Sequence, residues 1–448
     1  MNQSVLIKNA QVVNEGRIDT CDVLIVGDRI QEVAPTISAK SSNTRVIDAD
    51  GLYLMPGMID DQVHFREPGL THKATIESES KAAVAGGITS FIEMPNTVPQ
   101  ATTMEKVEEK FAIAAQSSWA NYSFMLGGTN DNLEDLISAD ATKVAGIKLF
   151  LGSSTGNMLV DDPEVLAAIF KNTKMVISVH CEDEATIREN LATQIQKYGD
   201  DIPMGLHPVI RSEQACYLSS SKAIELAKKQ GARLHVFHLS TAKETGLFKA
   251  EKEVTKKSIT AEVCVHHLWF SDQDYARLGS KIKWNPAVKT QADRTGLRKA
   301  LLEDRIDVIA TDHAPHTKEE KANKYTSAPS GGPLVQHALV ALIELYHQGV
   351  ISLEKIVEKF AHNPAKLFDI KDRGFVRAGY KADLVLVDLH APWTVNKSNI
   401  LYKCGWSPFE GNVFQARVMH TLVNGQLVYT DGAFPQRTYG ERLLFNRK

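Results

Sequence analysis

Five side chains that suit metal-dependent hydrolysis stand at or near the ends of short apolar segments. They are His64, Lys148, His180, His238 and Asp312. Neutral imidazoles and carboxylates hold divalent ions such as Zn²⁺ while leaving one position open for water. A single histidine at a strand end is more often a structural hydrogen-bonding group. Five such placements in one chain weaken that alternative and predict a metal site.

Lys148 and Asp312 have surroundings that point to chemistry. Lys148 lies in Gly146-Ile147-Lys148-Leu149-Phe150, where an ordinary ammonium would lose its hydration among apolar neighbours. We therefore expect a modified or paired lysine. Asp312 follows an apolar segment directly, so its carboxylate can touch a metal and accept a proton from water. The alternative for Asp312 is a loop cap.

The elements that would position these residues alternate between apolar segments and amphipathic ones. We predict eight strands, at Gly57–His64, Ile88–Met94, Tyr122–Leu126, Ala145–Phe150, Lys174–His180, Arg233–Leu239, Ile259–Val265 and Asp307–Thr311. The predicted helices include Thr75–Ala85, Thr103–Gln116, Pro163–Lys171, Ser212–Gln230, Ala242–Lys252, Gln291–Leu302, Pro333–His347 and Leu353–Phe360. A doubly wound open sheet shows the same alternation. Polar residues at the ends of many strands favour an α/β fold of the (β/α)₈ TIM-barrel type.

Both ends of the chain have β-strand character. Short alternating runs with Asn, Gly and Asp turns fill residues 1–54, and similar runs return within 373–448. We predict one small β-sandwich domain assembled from these two segments. Residues 55–372 would then form the barrel domain.

Composition narrows the class of partner. The chain of 448 residues carries 51 basic and 54 acidic residues, well mixed, so no basic surface for nucleic acid is indicated. No stretch approaches a membrane span. The five cysteines are scattered, which predicts reduced thiols in a cytoplasmic protein. A small-molecule substrate is the partner that these properties favour.

A series of motifs resembles the dihydroorotase branch of the amidohydrolase superfamily over essentially the whole chain. The motifs begin with His64-Phe65-Arg66-Glu67-Pro68-Gly69 and end with Asn363-Pro364-Ala365-Lys366 and Ala382-Asp383-Leu384. Between them stand Glu93-Met94-Pro95-Asn96-Thr97, Gly146-Ile147-Lys148-Leu149-Phe150, His235-Val236-Phe237-His238-Leu239-Ser240-Thr241, Cys264-Val265-His266-His267-Leu268, Trp284-Asn285-Pro286 and Ala310-Thr311-Asp312-His313-Ala314-Pro315-His316.

The resemblance implies a role for each matching residue. Lys148 would be carboxylated and bridge two zinc ions, with His180 and His238 on the more exposed ion and His64 and Asp312 on the other. Family spacing favours His238 over its rival His235. Arg66, Asn96 and His316 would bind a substrate carboxylate, and Asn285 would belong to the substrate pocket.

The implied reaction is the reversible hydrolysis of the cyclic amide of (S)-dihydroorotate to N-carbamoyl-L-aspartate, in pyrimidine synthesis. A metal-activated water would attack the ring amide, and Asp312 would carry the proton to the departing nitrogen.

Gln62 departs from the His-x-His motif of the family. Glutamine is a weaker zinc ligand than imidazole, so the site shared by His64 and Asp312 loses one normal ligand. Three interpretations follow: one metal held by Lys148, His180 and His238, two metals with a weakened site, or a catalytically silent homologue. The retained set of site residues favours an active enzyme with altered metal occupancy.

Two alternative functions stay open. An allantoinase or hydantoinase uses a similar metal centre, although Arg66 is hard to explain on a substrate without a ring carboxylate. A non-catalytic partner of aspartate carbamoyltransferase would show no turnover. The resemblance also allows a homodimer. The loop at 317–332 is interpreted either as a mobile cover or as a solvated connection.

Overall fold

The protein is described from a computed structural model, which covers residues 4–39, 43–152, 158–435 and 437–447. The strands, in chain order, are β1 (Ser4–Asn14), β2 (Arg17–Val26), β3 (Arg29–Ala34), β4 (Thr44–Asp48), β5 (Tyr53–Pro56), β6 (Met58–Val63), β7 (Ile88–Glu93), β8 (Asn121–Phe124), β9 (Leu126–Gly127), β10 (Ile147–Phe150), β11 (Ile177–His180), β12 (Leu234–Val236), β13 (Ile259–Cys264), β14 (Val308–Ala310), β15 (Leu384–Asp388), β16 (Trp393–Thr394), β17 (Val413–Phe414), β18 (Arg417–Val423) and β19 (Gln426–Thr430).

Strands β6 to β14 form the parallel barrel that the sequence predicts. Strands β6, β7 and β8 pair in parallel. Strands β9 to β14 also pair in parallel, each with the next. A single residue separates β8 from β9 in the chain. The barrel closes where Val63 bridges His313 and the His64 amide donates to the His313 carbonyl at 2.7 Å. Nearly all barrel-strand residues are buried, because parallel strands are covered on both faces.

Helices follow the barrel strands and pack outside them. They are α1 (Ile76–Ala85), α2 (Met104–Ser117), α3 (Leu133–Ser138), α4 (Pro163–Asn172), α5 (Glu184–Tyr198), α6 (His207–Ile210), α7 (Glu213–Gln230), α8 (Ala242–Thr245), α9 (Val265–Trp269), α10 (Tyr275–Leu278), α11 (Gln291–Leu302), α12 (Lys318–Lys321), α13 (Ala338–His347), α14 (Leu353–Val357) and α15 (Asn363–Leu367). Several start at polar caps: the side chains of Thr75, Thr103 and Ser212 each accept a backbone N–H of the first turn. Among the described residues, no helix is both long enough and apolar enough to cross a bilayer.

The predicted helix bounds fail at three places for local reasons. The Ala242–Lys252 helix is wrong beyond Thr245, where Gly246 ends it. The Pro333–His347 helix begins only at Ala338, because the amides of Leu334 and Val335 donate to His313 Nδ1 instead. The Leu353–Phe360 helix widens into a π-helical turn at Glu358–His362, ahead of Pro364, which has no N–H to donate.

Both ends of the chain contribute to one eight-stranded sheet. Its order is β19-β18-β15-β5-β1-β2-β3, with β4 pairing β1 in parallel. Apolar residues of the two ends share one core, in which Val5, Ile7 and Leu54 pack with Leu384 and Leu422. The structure thus has a terminal sheet beside the barrel, and we retain 1–54 with 373–448 as the proposed extent of that domain.

Candidate active site

The nine residues that the sequence singles out line one cavity of 230 Å³ at the C-terminal ends of the barrel strands. The lining consists of Gln62, His64, Arg66, Asn96, Lys148, Phe150, His180, His238, Trp284, Asn285, Asp312, Ala314, His316, Pro329, Ser330 and Gly331. A slightly larger cavity of 290 Å³ includes Trp393, Arg417 and Tyr429, but it contains none of the predicted site residues. The smaller cavity is the candidate active site because it joins convergent His, Lys and Asp groups.

His64 faces Asp312 in a way that suits a shared cation. The His64 Nδ1 lies 2.8 Å from Asn96 Oδ1, which can only accept, so Nδ1 carries the proton. Burial lowers the pKa of His64, although the nearby Asp312 opposes the shift. The Nε2 of the neutral ring therefore presents a lone pair to Asp312 Oδ1 at 3.2 Å. A cation between these two atoms would turn this repulsive contact into coordination.

His180 and His238 form a second pair of donors. The His180 Nε2 lies 3.0 Å from Glu182 Oε2, so it donates and leaves the Nδ1 lone pair facing His238 Nε2 at 3.0 Å. Burial alone would raise the pKa of Glu182, but Arg211, His180 and Lys289 together outweigh it and lower that pKa to about 2. The Arg211 guanidinium also donates directly to Glu182. Glu182 therefore stays ionised and fixes the tautomer of His180.

Lys148 lines the same cavity without a hydrogen-bond partner among the described residues. Its Nζ makes no hydrogen bond to any described residue. The amine sits over the Phe237 ring at 4.2 Å and the Phe150 ring at 4.9 Å. Burial lowers the pKa of Lys148 to about 7, against the charges of Glu262 and Asp312. We expected a modified or a paired lysine; the described residues provide no pairing partner, so the modified lysine stays a proposal.

Arg66 and His316 form the other wall of the cavity. The Lys73 ammonium can only donate, and it lies 3.1 Å from His316 Nδ1, so the ring proton sits on Nε2 and is donated to the Ser330 carbonyl at 3.0 Å. Arg66 Nη2 and His316 Nε2 lie 3.0 Å apart, and both are then hydrogen-bond donors, so neither satisfies the other. Burial lowers the pKa of Arg66 only to about 10, so the guanidinium stays charged and has a donor for an anionic ligand.

The loop at 317–332 is a packed wall of the cavity rather than a solvated connection. Lys321 is buried and donates to the carbonyls of Pro329 and Gly331, each at 2.8 Å. Lys283 donates to the Tyr325 carbonyl at 2.6 Å. These two ammonium groups hold the loop from inside, because its backbone carbonyls need buried donors.

Backbone conformation decides which residues reach the cavity. Arg66, His238 and Asp312 all have positive φ, at 70°, 41° and 46°. Strand β12 ends at Val236, and the left-handed turn at His238 brings its ring into the cavity, whereas His235 stays inside the barrel. Strained backbone of this kind is concentrated at functional sites.

The donor set fits a divalent metal ion. His64, His180, His238 and Asp312 offer imidazole and carboxylate donors, and the His238 Nδ1 has no hydrogen-bond partner among the described residues. Sequence reasoning missed Glu182 and Arg211, which hold His180. The position of Glu182 two residues after His180 was a usable signal, but Arg211 lies on a distant segment and carried none.

A parallel barrel with His, Lys and Asp groups converging at the C-terminal ends of its strands defines a metal-dependent hydrolase. The comparisons with known proteins agree: the chain belongs to the amidohydrolase family, whose model matches residues 53–428.

Its curated relatives span nearly its whole length. It is 34% identical to a dihydroorotase of Halobacterium salinarum, over 93% of this chain and 95% of the relative. It is 33% identical to a dihydroorotase of Staphylococcus epidermidis, over 95% and 99% of the two chains. Among solved structures, an L-hydantoinase (dihydropyrimidinase) from Arthrobacter aurescens superposes with a TM-score of 0.93 at 26% identity, over 99% of this chain and 100% of that chain.

Proposed function

We propose that the protein is a dihydroorotase that interconverts (S)-dihydroorotate and N-carbamoyl-L-aspartate. One observation carries the proposal: the guanidinium of Arg66 shares a 230 Å³ cavity with the donors of His64, His180, His238 and Asp312. A planar carboxylate fits the forked donors of arginine. A cyclic amide with a ring carboxylate would therefore place its acid on Arg66 and its amide near the donors.

The residues divide the work of hydrolysis. Arg66, Asn96 and His316 bind the carboxylate, with the His316 Nε2–H shared between the Ser330 carbonyl and the acid. Asn285 Oδ1, which no described residue satisfies, accepts a ring N–H. A divalent ion, when bound, supplies Lewis acidity and lowers the pKa of water. Asp312 takes a proton from the attacking water and delivers it to the ring nitrogen as the C–N bond breaks. The Trp284 indole holds the Asp312 backbone carbonyl at 3.1 Å.

Zn²⁺ is the ion that we propose, with Lys148 as its carboxylated ligand. The unpartnered, buried amine of Lys148 has room in the cavity to take up CO₂ and become a carbamate, losing one proton. Gln62 lines the cavity where the family has a histidine, and its Oε1 lies 3.8 Å from the Cys264 thiol. We therefore propose full occupancy at His180 and His238 and weaker occupancy at His64 and Asp312.

The test is a substrate panel on metal-replete protein. We expect turnover of dihydroorotate and carbamoyl aspartate, and little turnover of hydantoin, dihydrouracil or allantoin. Arg66→Gln should lower kcat/KM for dihydroorotate by about 100-fold, since a charged hydrogen bond contributes up to about 3 kcal/mol. The matched variant Arg66→Lys keeps the charge and should recover only part of the loss. Preferred turnover of hydantoin would contradict the proposal and favour the hydantoinase alternative.

The silent-homologue alternative predicts a different outcome. A non-catalytic partner would turn over none of these substrates with full metal content, and would bind aspartate carbamoyltransferase in co-purification. We also propose two assembly states, a complex with aspartate carbamoyltransferase and a homodimer. Sedimentation measures each of them. The five free thiols support a reducing, cytoplasmic environment as a further proposal.

A further inference from the structure

A buried cluster of two carboxylates and one imidazole lies inside the barrel, apart from the cavity lining. Asp61 comes from β6, His235 from β12 and Glu262 from β13, and all three are fully buried. One potential ligand atom from each residue lies within 4.8 Å of the others. None of the three lines the candidate active site. The cluster is thus a separate feature of the barrel interior.

The cluster needs a positive charge to balance its two carboxylates. The Thr260 hydroxyl donates to the Leu234 carbonyl at 3.2 Å, so its oxygen accepts from His235 Nδ1 at 2.8 Å. Nδ1 therefore carries a proton whether the ring is neutral or charged. Its Nε2 faces Asp61 Oδ2 at 3.3 Å and Glu262 Oε2 at 3.7 Å. Burial lowers the pKa of His235, but these two carboxylates outweigh it and raise that pKa to about 9. Two carboxylates in a dry interior require a positive charge among them, either a second proton on Nε2 or a bound cation.

Carboxylate oxygens without hydrogen-bond partners favour a bound ion over a second proton on His235. Both carboxylate oxygens of Asp61, and Oε2 of Glu262, have no hydrogen-bond partner among the described residues. One proton on His235 Nε2 would serve a single oxygen, and 3.3 Å exceeds the roughly 2.8 Å of a charge-assisted hydrogen bond. Ligand atoms bonded at about 2.1 Å to a tetrahedral ion are about 3.4 Å apart. The observed spacing fits donors around an ion.

The neighbouring carboxylate provides the contrast. Asp60 is equally buried on β6, but its oxygens accept from the Thr311 amide at 3.1 Å and the Thr311 hydroxyl at 2.6 Å. The Gln62 amide adds a longer contact at 3.3 Å. Asp60 is satisfied by the protein alone, whereas Asp61 is not.

We infer that Asp61, His235 and Glu262 form a second, interior binding site for a divalent cation of the Zn²⁺ or Mn²⁺ type. A mixed set of imidazole and carboxylate donors suits these ions. The site also bears on the cavity above it, because Glu262 Oε1 accepts the backbone N–H of His238 at 3.0 Å. An ion bound to Glu262 would fix this carboxylate and thereby stabilise the left-handed backbone of His238. The inference does not depend on the proposed reaction, since it is tested by metal content.

The first experiment counts metal per chain in protein reconstituted with Zn²⁺ or Mn²⁺. Asp61→Asn should lose one equivalent relative to wild type, whereas Asp60→Asn should lose none. The double variant His180→Asn/His238→Asn should lose metal from the cavity and keep the interior equivalent. Equal content in wild type and Asp61→Asn, or equal losses in the Asp60 and Asp61 variants, would overturn the inference.

The second experiment needs no variant and covers the case in which Asp61→Asn fails to fold. An anomalous difference map of wild-type crystals grown with Zn²⁺ or Mn²⁺ should show a peak within bonding distance of Asp61, His235 and Glu262. No peak there, with peaks in the cavity, would show that His235 is a protonated imidazolium held between two carboxylates.

Discussion

Buried polar groups have hydrogen-bond partners in one region of the molecule and lack them in another. At the junction of barrel and terminal sheet, Asp383 accepts from the Arg373 guanidinium, from Asn121 at 3.1 Å and from the Asn424 amide at 2.8 Å. In the cavity, Lys148 Nζ and His238 Nδ1 have no hydrogen-bond partner among the described residues. The satisfied network stabilises the fold, and in our proposal the unsatisfied groups of the cavity face the ligand. The following predictions test that division.

The largest effect is expected for Asp312→Asn. Asparagine cannot carry the proton and coordinates a metal weakly, so the rate should fall by about 1,000-fold or more. The thermal midpoint should change little, because in our proposal the Asp312 carboxylate serves the reaction rather than the fold. Steady-state kinetics and thermal unfolding measure the two. A loss of less than tenfold would remove Asp312 from its proposed role.

Asp383→Ala should have the opposite profile. Removing one partner of a buried ion pair costs about 3–5 kcal/mol of unfolding free energy, while the activity per folded molecule should be kept. Denaturant unfolding monitored by fluorescence measures the cost. Asp19→Ala is the matched control, because the Arg17–Asp19 pair is exposed and should contribute little. Similar losses in both variants would contradict the division between the regions.

His362 should make the junction sensitive to acid. Its Nε2 accepts the Glu15 amide at 3.0 Å and its Nδ1 donates to the Gly374 carbonyl at 2.7 Å. Burial lowers the pKa of His362 to about 4, below the 6.5 of the unfolded chain. The unfolded state therefore binds more protons between these values.

Stability from His362 is thus fully present above pH 6.5 and is lost as the pH falls towards 4, by about 3 kcal/mol at most. Denaturant unfolding across this range, in wild type and in His362→Gln, measures the contribution. The variant should lack this part of the pH slope. Identical slopes would show that His362 does not cause it.

Lys148→Met should stabilise the metal-free protein. A buried, unpartnered amine costs free energy that an apolar side chain of similar length does not, so we expect a gain of about 1–2 kcal/mol. Unfolding in the presence of a chelator measures the gain. A less stable variant would mean that Lys148 has a structural partner.

Gln62→His should give the smallest effect, a metal affinity about tenfold higher at the weaker position, which is about 1.4 kcal/mol. The imidazole would restore the ligand that the family motif supplies. Competition with a chromophoric chelator measures affinity, and metal analysis measures content. Equal number and affinity of ions in both proteins would refute our interpretation of Gln62.

Local pattern was enough to predict the barrel and most of its elements. Five helices of the barrel could be located because Thr, Ser and Asp caps and apolar periodicity are properties of neighbouring residues. The prediction failed where a distant contact decided the structure. His313, for example, takes the Leu334 and Val335 amides that would otherwise begin a helix.

The sequence by itself determined the order of strands and helices and the residue types at the strand ends, because periodicity and capping depend on near neighbours in the chain. The motif resemblance favours His238 over His235, but only the tertiary structure gives the physical reason, since the left-handed backbone at His238 turns its ring into the cavity and leaves His235 with Asp61 and Glu262. The tertiary structure also decided that Arg211 holds Glu182 and that Lys321 holds the loop wall. Those contacts join residues that are not near neighbours in the chain, and their distances are set by packing.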